Sequence, residues 1–209
     1  MVIKDNMSVI AILQARTNSS RLPGKVLRPI LGMPMIQHQI ERVERCNEID
    51  KIVIATSTEG SDDELVNLSK RLGVECYRGS LNDVLDRFYK VACEYKASHV
   101  VRLTGDCPLI DPAVIDKAIS HHIQTNADYT SNVVLTTYPD GLDVEVMTFK
   151  ALENAWSFAC SISDREHVTP FIRNGDDNNV IENVVNDIDL SELRWTVDEE
   201  EDFKFVTEI

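Results

Sequence analysis

Residues 11–27 read AILQARTNSSRLPGKVL: an apolar run, then Arg16, Arg21 and Lys25 on one short polar stretch, with Asn18, Ser19, Ser20 and Gly24 between them. Three cations so close can grip phosphate oxygens, an arginine through two parallel hydrogen bonds and a lysine as a point charge. Loop N–H groups would add to that grip. Neither G-x-x-x-x-G-K-[ST] nor G-x-G-x-x-G is present. A solvated loop with incidental charges would contain the same residue types. Asn18 is expected to supply a left-handed backbone position where glycine would otherwise serve.

Two acids follow apolar runs. VVRLTGDCPLID reads as a strand that ends at Thr104 and Gly105 and presents Asp106. The Cys107-Pro108 pair stops the strand there. In LRWTVDEEED a second apolar segment is followed by Asp198. A carboxylate facing a polyphosphate needs a cation between them, and Mg²⁺ takes one or two carboxylates with phosphate oxygens and water. Asp106 and Asp198 are therefore candidate metal ligands if LRWTV joins the same sheet. Asp198 can equally cap the next helix, with Glu199 to Asp202 serving that helix's dipole. Asp111 reads as a cap, and Cys107 as a small buried apolar residue rather than a nucleophile.

The elements that must position these groups alternate. Strands are expected at 9–13, 51–57, 74–79 and 99–105, with helices at 34–46, 62–72, 81–96 and from Asp111-Pro112 onward. Asp62 is the expected N-cap and Gly73 the stop of the second helix. This alternation predicts an α/β fold with a doubly wound, mainly parallel sheet. The strand ends then hold the ligand site. The remainder is more mixed: strands at 127–132, 142–149, 179–185 and LRWTV, helices at 149–160, 164–173 and from 199. The last helix meets no stop signal, which suggests a chain cut short. No linker divides the chain, so one domain is expected over 1–209.

The chain has 209 residues, 43% of them hydrophobic, and a formal net charge of −14. That charge argues against a nucleic-acid partner. No segment has the length of a membrane span, and the N-terminus, interrupted by Asp5 and Asn6, lacks a signal-peptide layout. Five cysteines without a C-x-x-C pair point to a reducing cytoplasm.

The blocks QARTNSSRLPGKVL, ATSTEGSDDEL, RGSLNDVLDRF, RLTGDCPLID, YPDGLDVEV, SDREHVTPFI and LRWTVDEEEDF, in this order, resemble the cytidylyltransferases of acidic sugars, in particular the spore-coat polysaccharide branch. Acylneuraminate and ketodeoxyoctonate cytidylyltransferases are more distant relatives. The resemblance implies a nucleotide-diphospho-sugar transferase fold, with about 8–125 as the nucleotide-binding half and a mixed C-terminal part, about 126–209, that binds the sugar and completes the metal site. It implies transfer of CMP from CTP to a sugar hydroxyl with release of pyrophosphate. Arg16 and Lys25 would hold the triphosphate and, with Asp106, serve catalysis; Asp106 and Asp198 would bind Mg²⁺. Nucleotide contacts are implied for Gln14, Ala15, Arg16, Asn18, Ser19, Ser20, Arg21, Lys25, Thr104 and Asp106, with the base near Thr56 and Ser57. The sugar is expected near Asp140, Asp143, Glu166 and His167. A homodimer is also in keeping with the family. The opening motif of this branch often reads Met-Gly where this chain has Thr17-Asn18.

In this reading the sugar hydroxyl attacks the α-phosphate and the cations stabilise the departing pyrophosphate. His167 could take the hydroxyl proton, or orient the sugar, or cap a helix; the base is not identified. The helix of SDREHVTP is expected to start at Ser163 or Asp164. Arg165 could meet an anionic substrate or pair with a surface acid, while His121 and His122 are read as a solvated face. Two other functions fit parts of the pattern. One is a glycosyltransferase using a ready-made nucleotide-sugar, which would not need the cationic loop. The other is a nucleotide-sensing module without catalysis.

Overall fold

The computed structural model describes residues 7–174 and 179–209. Residues 175–178, between the expected helix at 164–173 and the expected strand at 179–185, lie outside the described residues, as do Asp5 and Asn6. One mixed sheet of seven strands runs through both halves of the chain in the order β5-β4-β1-β6-β8-β7-β9. Its parallel part is β1 (Val9–Gln14), β4 (Lys51–Ser57), β5 (Glu75–Gly79) and β6 (His99–Thr104). β8 (Glu145–Thr148) runs antiparallel to both β6 and β7 (Tyr129–Ser131), and β9 (Ile181–Asn183) lies parallel to β7. A small hairpin of β2 (Pro29–Ile30) and β3 (Met33–Pro34) follows the opening loop.

The central strands are apolar on both faces, as covered parallel strands must be. In β1, Val9, Ala11 and Leu13 face one core while Ile10 and Ile12 face the other. The first core is closed by α1 (Met35–Val43), α2 (Asp63–Leu72), α4 (Pro112–Thr125) and α8 (Glu200–Glu208). The second is closed by α3 (Val84–Glu94), α5 (Phe149–Phe158) and α7 (Pro170–Asn174), with the short α6 (Ile162–His167) beside α3. Among the described residues no helix is long and apolar enough to cross a membrane.

Several expectations are corrected. Asp62 makes no side-chain cap to α2. It is 1% exposed and turns back to the opening loop. There it accepts from the N–H and hydroxyl of Thr17, both at 2.8 Å, and from the N–H and hydroxyl of Ser57 at 3.1 and 2.5 Å. Burial alone would disfavour its charge, but these donors outweigh that and hold its carboxyl below the usual range. Asn18 is not left-handed; in that loop Gly24 is, with φ 73°. The helix expected at 164–173 is two helices, broken at Val168 with φ 70°. Pro170 has no N–H to give and restricts the residue before it. α6 is capped by Ser161, which accepts from the Asp164 N–H at 3.0 Å, rather than by Ser163 or Asp164. Arg165 pairs with Asp83 through two bonds of 3.0 and 2.6 Å, clamping α6 to the start of α3.

LRWTV is not a strand of the sheet. Its backbone is pinned elsewhere: the N–H groups of Trp195 and Thr196 donate to the Asp140 carbonyl at 2.6 and 3.0 Å, and Val197 N–H donates to the Asp106 carbonyl at 2.8 Å. The fit is close at Gly141, φ 109°, where a Cβ would lie 2.5 Å from the Thr196 nitrogen. His122 is not solvated either. It is fully buried, bonded to the Thr130 hydroxyl at 3.0 Å and to the His99 ring at 3.1 Å.

Two consequences follow for stability. Removing the Asp62 carboxylate leaves buried donors of Thr17 and Ser57 without acceptors, so Asp62→Ala is expected to cost about 3 kcal/mol in urea unfolding. Burial, together with the neighbouring His99 and His121, lowers the His122 pKa from 6.5 to about 3. The unfolded chain therefore takes the proton first, and the stability present above pH 6.5 declines as pH falls toward about 3. One such histidine contributes about 1.4 kcal/mol per pH unit. Unfolding curves at successive pH values test this, and His122→Gln should flatten the slope.

Candidate active site

The C-terminal edge of the parallel strands carries a cleft of about 300 Å³. The loop after β1 forms one wall with Gln14, Ala15, Arg16, Ser19, Ser20, Arg21 and Lys25, and Thr104, Gly105 and Asp106 follow β6. Asp198, Glu166 and His167 reach it from the later half, and Val84 and Arg87 from α3. The loop folds onto the sheet because Asp62 ties Thr17 to the end of β4.

Lys25 stands at the centre of the charged groups. It is 8% exposed, and its ammonium donates to Asp106 at 3.2 Å, to Asp198 at 3.0 Å and to the Val197 carbonyl at 2.7 Å. The two acids singled out in the sequence thus meet at one cation. They do so without a shared strand, because the 194–197 segment bonds to the turns at Asp140 and Asp106. Arg21 adds an ion pair to Asp198 at 2.9 Å, and Arg194 reaches the other oxygen of Asp198 at 2.9 Å. Burial works against the Asp198 charge, but the bonds from Lys25 and Arg194 and the charge of Arg21 outweigh it and keep its carboxyl below the ordinary range. Asp198 is not the cap of α8. Glu199 holds that place, its N–H donating to Asp202 at 2.9 Å. Cys107 is 2% exposed, and burial beside Asp106 raises its thiol pKa, which suits a core residue.

A second pocket of about 440 Å³ adjoins the cleft, and Thr104 and His167 line both. Asp143, Glu145, Arg102, Ser163, Thr169 and Arg173 also line it. Glu145 is spent on its neighbours: it pairs with Arg102 and accepts from the Tyr129 hydroxyl at 2.5 Å and the Thr169 hydroxyl at 2.7 Å. Burial, reinforced by Asp140, Glu145 and Asp106, raises the Asp143 pKa to about 6.

The expected acceptor residues are therefore split. Asp143 and His167 face the second pocket, Glu166 faces only the first, and Asp140 lines neither because Arg194 holds it. Asn18 is exposed but does not line the cleft. Thr56 and Ser57, near which the base is expected, line neither pocket. Both are fully buried, and Ser57 is committed to Asp62. In their stead α3 contributes Arg87, 1% exposed. Its position in RGSLNDVLDRF, on the apolar stripe of α3, was the available signal, since a cation there cannot face water.

The donor set fits a divalent cation. Two carboxylates already converge on one positive centre, and hard oxygen ligands suit Mg²⁺ or its like. Among the described residues no group of three or more His, Cys, Asp or Glu forms an all-protein cage, so further ligands would have to be phosphate oxygens and water.

The family model described as Cytidylyltransferase matches residues 10–207. The spore coat polysaccharide biosynthesis protein SpsF of Bacillus subtilis is 38% identical over 172 residues, 79% of this chain and 70% of that protein. The 3-deoxy-manno-octulosonate cytidylyltransferase of Geobacter sulfurreducens is 39% identical over 116 residues, 54% of this chain and 45% of that enzyme. A solved cytidylyltransferase from Leptospira borgpetersenii superposes with a TM-score of 0.91 at 32% identity, over 96% of this chain and 85% of that one. With the match running through every element that builds the cleft, the chain belongs to the cytidylyltransferase family.

Proposed function

We propose that the protein transfers CMP from CTP to a hydroxyl of an acidic sugar, releasing pyrophosphate, for the synthesis of a surface polysaccharide. The observation that carries this reading is the Lys25 ammonium between Asp106 and Asp198, at the rim of a cleft that opens into a second polar pocket. A reducing cytoplasm suits the five free cysteines.

The triphosphate would lie along the loop after β1, against Arg16, Arg21 and Lys25. The sugar would lie in the pocket of Asp143 and His167, its hydroxyl directed past Thr104 toward the α-phosphate. As pyrophosphate departs, charge grows on its oxygens, and fixed cations in a partly dry cleft stabilise that charge more than the ground state. Lys25 reaches a phosphate only by giving up one of its three acceptors. Asp106 and Asp198 would hold Mg²⁺, which supplies further neutralisation of the leaving group when bound. His167 and Asp143 are the titratable groups beside the acceptor, and either can receive the hydroxyl proton.

Pyrophosphate release is the test: the protein is mixed with Mg²⁺, each nucleoside triphosphate in turn, and a panel of sugar acids. Release with CTP alone is expected. Binding of CTP without release, or transfer from a preformed nucleotide-sugar, would overturn the proposal. In the same assay Lys25→Ala should lower turnover by roughly 100-fold or more, with circular dichroism confirming that it folds. Ordinary turnover in that variant would remove Lys25 from the chemistry.

A further inference from the structure

Arg87 is a buried cation without an ion-pair partner among the described residues. It lies in the first turns of α3, is 1% exposed, and lines the cleft together with Val84, Gln14 and Arg16. Its Nε and Nη1 are buried without a hydrogen-bond partner. The acids whose charge it feels are engaged elsewhere: Asp62 with Thr17 and Ser57, Asp83 with Arg165. Arg78, on the adjacent strand, is likewise committed, to the Ser57 and Glu59 carbonyls at 2.9 Å and to Asp63 at 2.7 Å. An uncompensated buried charge is strongly destabilising. The fold nevertheless makes room for it: a Cβ on Gly79 would come within 2.7 Å of Arg87 Cγ. Such a group is poised for an acceptor that arrives with a ligand.

Its place in the cleft identifies the acceptor. Lys25 and Arg21 gather at Asp198 and Asp106, beyond the end of β6. The Arg87 stem crosses Gly79 at the end of β5, on the other side of β1 and β4. Three strand spacings, roughly 14 Å, separate those strand ends. A nucleotide with its phosphates at the β6 end directs its base toward β5, where Val84 offers an apolar wall beside the guanidinium.

We infer that Arg87 reads the base, donating two N–H bonds to the O2 and N3 atoms of cytosine. The inference rests on the cytidylyl-transfer reading and gives it a structural origin for nucleotide choice. Cytosine presents two neighbouring acceptors on its pairing edge. Uracil presents an N3–H there, which would meet a donor with a donor, and adenine sets an amino group beside its N1. Guanine has two adjacent acceptors only on its O6/N7 edge. A site whose buried donors are left unpaired rejects the wrong ligand strongly.

Binding of CMP, UMP, GMP and pyrophosphate to the full chain, measured by calorimetry, tests the inference. The wild type should prefer CMP to UMP and GMP by at least about tenfold, the worth of a charge-assisted hydrogen bond. Arg87→Met removes the donors and keeps the length of the stem. It should erase the preference, leave pyrophosphate affinity unchanged, and not lower the melting temperature of the free protein, because an uncompensated charge has gone. Arg87→Lys keeps a cation without the planar fork and should show a reduced preference; it serves if the Met variant does not fold. CMP preference surviving in the variants, or pyrophosphate affinity falling as far as CMP affinity, overturns the inference alone. GMP binding as well as CMP in the wild type overturns the cytosine assignment. A wild type that takes pyrophosphate but none of the nucleotides overturns the cytidylyl-transfer reading too.

Discussion

One ammonium group between two carboxylates joins the first loop of this chain to the segment that precedes its last helix. Lys25 lies 81 residues from Asp106 and 173 from Asp198. Without it the two acids would face each other across a partly buried space, and like charges so placed destabilise the fold or drive up a pKa. With it, the 194–197 segment has a charged anchor as well as its backbone bonds to the turns at 106 and 140. The same contact that completes the fold assembles the chemical groups. Cohesion and the proposed chemistry therefore rest on the same three side chains.

The loop that carries Lys25 depends on a second buried charge. Asp62 collects four donors from Thr17 and Ser57, which fixes where the cationic segment leaves the sheet. This explains why Thr56 and Ser57 support the cleft from behind rather than line it. A full set of donors is what makes a buried carboxylate tolerable. Arg87 is the contrasting case, a buried charge two of whose nitrogens find no acceptor among the described residues. Together they give the cleft a rigid cationic rim on a protein whose net charge is −14.

Much of this was legible in the sequence because it is local. Apolar runs bounded by polar turns identified β1, β4 and β6 within a residue or so, since a strand covered on both faces has little choice of composition. The Asp111 cap was legible for the same reason: its donor, the Ala113 N–H, lies two residues away, 2.8 Å from the carboxylate. The convergence of Asp106 and Asp198 came from the recurrence of an acid after an apolar run. The route to it, through LRWTV as a strand, did not hold, because that segment bonds to turns and not to a ladder. Asp62, His122 and Arg87 escaped a local reading. Each is of a type suited to the surface, and each is buried against a different element of the fold, at Thr17, Thr130 and Gly79; only Arg87, on the apolar stripe of α3, carried a local signal. The topology of the sheet supplies those contacts.

Val168 has a bearing on how the two pockets communicate. A β-branched residue with φ 70° sits in a sparsely populated backbone region, at an energetic cost on the order of 1–3 kcal/mol. Its side chain is fully buried, so packing holds it there. His167 on one side and Thr169 on the other both line the second pocket. The packing that holds Val168 in this conformation therefore also fixes where the imidazole stands relative to the hydroxyl that bonds Glu145.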